Sequence, residues 1–156
     1  MSIRSILALA ACLFLPAAIA GERAPGPAPT RDCVGMVDGW IRMPPAPRPM
    51  LAGFGRIANR CAGEQAVVAV RSPRFGDVSL HETRVVDGVS RMRAVDRLPL
   101  PAGGAAVLQP GGLHLMLMQP TAPLAEGEAV PLVMVLADGR EVGATVVVRK
   151  AAPPVR

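Results

Sequence analysis

The hexapeptide LHLMLM at positions 113–118 constrains the fold more than any other segment, because leucine fills every second position. Side chains of a β-strand point alternately to opposite faces, so the leucines would share one buried face. His114, Met116 and Met118 would then lie together on the other face. The pattern predicts a half-buried strand, and Pro110-Gly111-Gly112 predicts a turn just before it.

Short segments rich in valine and leucine, separated by glycine and proline, continue through most of the chain. After the first 20 residues no segment shows the 3.6-residue period of an amphipathic helix. The candidate strands are 34–42, 51–59, 65–72, 78–86, 89–95, 105–108, 113–118, 129–136 and 142–149. This pattern predicts an all-β fold, a cupredoxin-like Greek-key β-sandwich of about eight or nine short strands.

Two Asp-Gly pairs, Asp87-Gly88 and Asp138-Gly139, each lie between candidate strands. Aspartate and glycine readily adopt the positive φ angles that a two-residue type I′ turn requires. Both pairs are therefore predicted to be tight hairpin turns.

The first hairpin also predicts which side chains meet. With Asp87-Gly88 as the turn, Thr83 lies opposite Met92, and His81 shares a face with Thr83 because side chains alternate. His81 and Met92 are then diagonal neighbours with Cβ atoms roughly 7 Å apart.

The chain has only two histidines, and both fall beside methionines in these predicted strands. Imidazole and thioether form a soft, uncharged ligand set that suits Cu(I). We therefore predict a Cu(I) site formed by His81, Met92, His114 and Met116. Met118 shares the face and is a candidate auxiliary ligand, with packing beneath the site as the alternative.

Residues 1–20 have the features of a secretory signal peptide: a basic start, an uncharged run and Ala18-Ile19-Ala20 at the end. Leu9-Ala10-Ala11-Cys12 also matches a lipoprotein cleavage box, but the apolar run continues well past Cys12, so lipid anchoring there is not expected. We predict a periplasmic protein without a stable membrane span. Residues 21–31 form a Pro/Gly-rich leader, 32–150 the copper-binding domain and 151–156 a short disordered tail.

Export places the two remaining cysteines, Cys33 and Cys61, where disulfides persist, and we expect them to pair. Such a bridge would add roughly 3 kcal/mol of stability. The net charge of +5 falls to +4 when the segment containing Arg4 is removed. The arginines are scattered and aromatic residues are few, so no nucleic-acid partner is expected.

The spacing His81-x10-Met92-x21-His114-x-Met116 resembles the signature of the periplasmic PCu(A)C-type copper chaperones. The resemblance extends over about residues 32–150. Further matching segments are Trp40-Ile41-Arg42, Ala52-Gly53-Phe54, 79–83, Arg91-Met92 and 110–117. It implies a cupredoxin-like carrier that passes Cu(I) to an acceptor subunit of a haem–copper oxidase, or to an assembly factor, during cytochrome c oxidase assembly. The Cys33/Cys61 pair is not part of the family motif.

Three other functions compete with this interpretation. An electron-transfer blue-copper protein needs a cysteine near its histidines, and none lies near His114. An enzyme is not expected, because the chain has no Ser-His-acid array with a plausible spacing, zinc-type helix motif or phosphate-binding loop. The remaining alternative is an exported β-sandwich that mediates protein interaction, or that stores copper or confers resistance to it, without a delivery role.

Overall fold

The computed structural model describes residues 32–152 and forms them into ten β-strands. The strands are β1 Val34–Arg42, β2 Met50–Asn59, β3 Gln65–Arg71, β4 Phe75–Val86, β5 Val89–Ala94, β6 Leu98–Leu100, β7 Ala105–Leu108, β8 Leu113–Pro120, β9 Ala129–Leu136 and β10 Glu141–Arg149. The all-β fold is confirmed, with ten strands instead of eight or nine because β6 is additional. The predicted signal peptide, the leader and residues 153–156 of the predicted tail lie outside the described residues.

The ten strands form one hydrogen-bonded sheet in the order β5-β4-β8-β7-β2-β1-β10-β9-β3-β6. Two pairs are parallel, β1 with β10 and β7 with β8. Strands β3 and β4 contact each other although they lie far apart in the sheet order. The sheet therefore folds over into two layers, which enclose one core in the manner of a β-sandwich.

The leucine face of β8 lies in the centre of this core. Leu115 and Leu117 are completely buried and pair across the sheet with Leu80 and Val78 of β4. Full burial of one such leucine contributes about 1.5 to 3 kcal/mol. This confirms the predicted alternation and fixes the opposite face of β8 as an outward-facing surface.

Strand β2 changes partner along its length. Its first half pairs with β8, and from Gly55 onward it pairs with β7. Gly55 has a φ of +144°, and a Cβ at that position would lie 2.9 Å from Cα of Gly39 in β1. Only glycine fits this bend. Because the first half of β2 adjoins β8, Met50 lies opposite Met118 and Ala52 opposite Met116.

The Asp87-Gly88 prediction is confirmed. Asp87 and Gly88 have φ values of 53° and 74°, as a type I′ turn requires. Strands β4 and β5 pair in the predicted register, with Thr83 opposite Met92.

The prediction of a type I′ turn at Asp138-Gly139 is wrong. Only Gly139 has a positive φ, of 86°, and the amide of Leu136 donates to the carbonyl of Arg140 at 2.8 Å. The loop therefore has three residues and ends in a glycine bulge. Oδ1 of Asp138 accepts a hydrogen bond from the Arg140 amide at 3.0 Å, and this bond favours the wider loop.

Cys33 and Cys61 form the predicted disulfide, which joins the start of β1 to the end of β2. Beside it, Asn59 is buried and hydrogen-bonds to four backbone groups. This end of β2 lies roughly 20 Å along the strand from Ala52. The disulfide is thus remote from the histidines.

Candidate metal centre

His81 of β4 and His114 of β8 lie directly opposite each other. Their ring centroids are 6.0 Å apart and the ring planes are inclined by 32°. Both residues face away from the core, because their strand neighbours Leu80 and Leu115 are buried in it. We call this surface of strands β2, β8, β4 and β5 the outer face.

The methionines divide into two groups. Met36, Met43 and Met134 belong to the hydrophobic core or pack against it. The other four described methionines lie on the outer face by strand register and are outside the core cluster: Met50, Met92, Met116 and Met118. The outer face therefore carries both imidazoles and four thioethers.

The four predicted ligands occupy neighbouring register positions. Met116 follows His114 by two residues on β8 and lies opposite Ser79, so it is diagonal to His81. Met92 lies opposite Thr83 and is diagonal to His81 from the other side. The Met92 side chain is half exposed on the β4–β5 hairpin.

Met118 lies further from the imidazoles. It is four residues from His114, about 13 Å along the strand. Its direct neighbours are Asp77 on β4 and Met50 on β2. Met118 therefore does not lie beside the histidine pair. Its role as an auxiliary ligand stays a prediction.

A backbone carbonyl fixes the tautomer of His114. Nδ1 of His114 lies 3.0 Å from the carbonyl oxygen of Gly112. Since a carbonyl only accepts, Nδ1 must carry the proton. Nε2 is then left with a free lone pair that can bind a metal ion.

A chain of two hydrogen bonds orients His81. The Ser79 hydroxyl donates to Oδ2 of Asp77 at 3.4 Å and lies 3.1 Å from Nε2 of His81. When Ser79 directs its one proton to Asp77, it accepts from Nε2–H, and Nδ1 of His81 is then the unprotonated nitrogen. Nδ1 of His81 is buried and has no hydrogen-bond partner anywhere in residues 32–152. A buried polar atom without a hydrogen-bond partner is costly, so its presence on this face calls for an explanation.

Sequence reasoning missed Ser79 and Asp77 as supporting residues. Both lie at even spacing before His81 in the sequence, so their shared face could have been recognised. Their hydrogen bonds depend on side-chain rotamers, which strand periodicity does not specify. Hydrogen bonds of this kind orient metal-binding imidazoles in many proteins.

Glu82 follows His81 in sequence but points to the opposite face of the hairpin. Its carboxylate accepts hydrogen bonds from Arg84 at 2.9 Å and from Arg93 at 2.6 Å. The bond from Arg84, helped by that from Arg93, keeps the pKa of Glu82 below its ordinary range. Glu82 and the two arginines that balance its negative charge therefore lie together on the face of the sheet opposite to the imidazoles.

Among residues 32–152, no three or more His, Cys, Asp and Glu side chains gather in a metal-binding arrangement. The donors that share the outer face by strand register are imidazole nitrogen and thioether sulfur, which favour soft ions. The same part of the chain contains no helix long and apolar enough to cross a membrane.

The fold is that of PCu(A)C-type domains. The apo PCuAC domain from PmoF1 superposes with a TM-score of 0.62 over 78% of this chain and 95% of that domain, at 21% identity. The solution structure of CuI-DR1885 from Deinococcus radiodurans gives a TM-score of 0.60 at 27% identity, over 84% of this chain and 86% of that one.

The chain belongs to the LpqE-like family. The family described as "LpqE-like: Putative lipoprotein LpqE-like" matches residues 34–148. A relative in Leifsonia xyli subsp. xyli (strain CTCB07), "Putative lipoprotein Lxx21020", is 33% identical over 136 residues, which are 86% of this chain and 78% of the relative.

Proposed function

We propose that this protein is an exported carrier that binds one Cu(I) ion through His81, Met92, His114 and Met116. The observation that carries the proposal is the buried Nδ1 of His81, which has no hydrogen-bond partner in the described part of the chain. It lies on the face where His114 stands directly opposite and Met116 is the diagonal neighbour. A soft cation in this position would satisfy the unpaired nitrogen.

The hydrogen bonds around the two imidazoles support the same proposal. Within residues 32–152, each ring has one nitrogen hydrogen-bonded to a protein group and the other without a hydrogen-bond partner: Nε2 of His114 and Nδ1 of His81. Thioethers bind without losing a proton, so the ligand set is neutral and suits a monovalent ion. Neutral imidazoles bind metal and protonated ones do not, so affinity should fall on acidification.

The comparisons support copper as the cargo. The structure of DR1885 is described as its Cu(I) form, and DR1885 is 27% identical to this chain. Together with the spacing of the two histidines and two methionines, this favours a Cu(I) carrier over an exported interaction domain that binds no metal.

Release by ligand exchange is the final part of the proposal. Met92 is 51% exposed on the hairpin, so an incoming ligand can approach its position from solvent. His114, by contrast, lies on a strand with neighbours on both sides. We infer that an acceptor displaces Met92 first and that the ion passes to a copper centre of a respiratory haem–copper oxidase.

We also propose that the protein acts outside the cytoplasm. The lipoprotein descriptions of the family and of the Leifsonia relative favour lipid attachment at Cys12, whereas the sequence alone favours cleavage after Ala20. The intact mass of the protein isolated from its host distinguishes the two. A lipid-modified chain beginning at Cys12 supports anchoring, and an unmodified chain beginning at Gly21 supports a free periplasmic carrier.

Anaerobic titration with Cu(I) against a chromophoric chelator tests the binding step. Wild-type protein should withdraw one tightly bound equivalent, and His114→Ala should lose at least about tenfold in affinity, or 1.4 kcal/mol. Met134→Leu removes a core thioether and should bind like wild type. Equal affinity in wild type and His114→Ala would refute the site.

A transfer experiment tests delivery separately. Cu(I)-loaded protein is mixed with the apo copper-binding domain of an oxidase subunit, and the metal on each protein is measured after separation. Transfer of the ion supports the carrier role. Retention of the ion, despite tight binding in the first experiment, would favour a storage or resistance module.

A further inference from the structure

We infer that Met50 and Met118 form a second, weaker site for a soft monovalent cation, adjacent to the histidine pair. This inference rests on the proposed function, since it assigns the remaining thioethers of the outer face to the same cargo. It goes further by placing a second ion on residues outside the four-ligand set.

The strand register brings these two side chains together. Met50 at the start of β2 is the direct cross-strand partner of Met118 near the end of β8. Directly opposite residues in a sheet have Cβ atoms about 4.5 to 5.5 Å apart. Two flexible thioethers at that separation can place both sulfur atoms on one ion.

Neither residue has the burial of a core methionine. Met50 is 46% exposed and Met118 is half-buried, and both are absent from the core cluster. Met134, in contrast, is completely buried within the core. Filling of the hydrophobic core therefore does not account for an adjacent pair of thioethers on the outer face.

The surroundings leave space and provide a negative charge. Ala52, next to Met50 on the same face, is opposite Met116 and has a side chain of one carbon, which is shorter than the three methionine side chains around it. The exposed carboxylate of Asp77 lies on the other side of Met118. A carboxylate beside a neutral ligand pair favours a cation.

Two arginines lie on the far side of Met50. Together with Met50 and Ala52, Arg42 and Arg48 line an open cavity of about 240 Å³. The Arg42 guanidinium stacks over Phe54 and Trp40, at 5.2 Å and 5.8 Å from the ring centroids, and so is engaged with the rings. This positive charge, together with the smaller number of donors, makes the second site weaker than the first.

The row of donors on β8 connects the two sites. Met118, Met116 and His114 follow one another on the outer face at intervals of about 7 Å. An ion held by Met50 and Met118 therefore has Met116 as its next donor and the imidazole of His114 after that. The second site can thus receive an ion from solvent and supply it to the histidine pair.

Titration with Ag(I), a soft ion of the same charge that does not change oxidation state, tests the inference. Methyl resonances of ¹³C-methyl-methionine-labelled protein are followed by NMR. The first equivalent should shift the signals of Met92 and Met116. The second, binding at least about tenfold more weakly, should shift those of Met50 and Met118.

Two double variants locate the second equivalent. Met50→Leu/Met118→Leu should abolish it and leave the first equivalent unchanged. Met36→Leu/Met134→Leu also removes two thioethers, from outside the outer face, and should retain both equivalents. A second equivalent that survives the Met50/Met118 change would overturn the inference.

The wild-type spectra keep the test decisive if a variant misfolds. One equivalent only, without shifts at Met50 and Met118, would refute the second site and leave the proposed carrier function standing. Absence of any binding would refute the proposed function itself.

Discussion

Ser79 and His81 lie two residues apart on β4, and the serine hydroxyl is 3.1 Å from Nε2 of the imidazole. When this hydroxyl donates to Asp77, it accepts from Nε2–H of His81, and the lone pair lies on Nδ1, which is buried and has no partner among residues 32–152. The tautomer of one proposed ligand thus depends on a residue that does not itself bind the ion.

Ser79→Ala should therefore weaken Cu(I) binding about tenfold, the lower end of what loss of a supporting hydrogen bond costs a metal site. Thermal stability should change little, since the site faces away from the core. Ser90→Ala is the matched control, because Ser90 is an exposed serine on the same face of the hairpin. Equal losses in the two variants would show that Ser79 has no special role.

Glu128→Gln should lower stability at neutral pH by about 1 kcal/mol. Glu128 accepts hydrogen bonds from the Ala125 amide at 3.0 Å and from Arg74 at 2.9 Å. The first of these bonds, with help from Arg74, holds the pKa of Glu128 below its ordinary value. The ionised form is thus favoured by folding, and its contribution is present above the ordinary glutamate pKa.

The contribution of Glu128 is lost as the pH falls through its lowered folded-state pKa. Urea unfolding between pH 7 and pH 3 measures this directly. Wild type should lose stability on acidification more steeply than Glu128→Gln, and the two curves should converge at the acid end. Glu64→Gln, at an exposed residue without an ion pair in the described part of the chain, should follow wild type. Parallel curves for wild type and Glu128→Gln would contradict the assignment.

Asn59→Ala should destabilise the fold by roughly 2 to 4 kcal/mol, because it leaves buried backbone groups without partners. The Asn59 amide nitrogen donates to the carbonyls of Leu100, Pro101 and Gly63 at 2.8 to 3.0 Å. Its oxygen accepts from the Cys61 amide at 2.9 Å. Chemical denaturation measures the loss, and a change below about 0.5 kcal/mol would show that water replaces these bonds easily.

Reduction of the disulfide should cost about 3 to 4 kcal/mol, since Cys33 and Cys61 are 28 residues apart and the bridge restricts the unfolded chain. Cu(I) affinity of the folded protein should not change, because the bridge is remote from the histidines. Denaturation of Cys33→Ser/Cys61→Ser, with Cu(I) titration under native conditions, measures both quantities. A large loss of affinity in the folded variant would show coupling between the two ends of β2.

The parts of the fold that could be predicted from sequence are those set by local rules. The leucine alternation in β8 depends only on side-chain direction and burial. The register of the β4–β5 hairpin depends on one tight turn, so that Thr83 and Met92 could be paired correctly. The strand β6 was missed because Leu98–Leu100 has three residues with a proline in the middle, which is too little pattern to recognise.

Other features depend on contacts distant in sequence. The change of partner along β2 follows from the close approach of Gly55 to Gly39 in another strand. The pairing of Met50 with Met118 follows from that change, so hairpin reasoning could not find it. The Asp138-Gly139 loop differs from these features, because the contact that matters there is local: the Arg140 amide donates to Asp138, and the loop is wider than the dipeptide rule predicts.

Strand β5 is an edge strand of the sheet, and among residues 32–152 it pairs only with β4. On the side away from β4 it has no neighbouring strand in the described part of the chain. Local opening of β5 therefore breaks one ladder, whereas opening of β8 breaks bonds on both sides. In the proposed coordination sphere, the two imidazoles thus lie on strands that are paired on both sides, whereas the sulfur of Met92 lies on a strand that is paired on one side. The dissociation rate of the bound ion should therefore depend on how often β5 detaches from β4, and not on the rate of global unfolding of the domain.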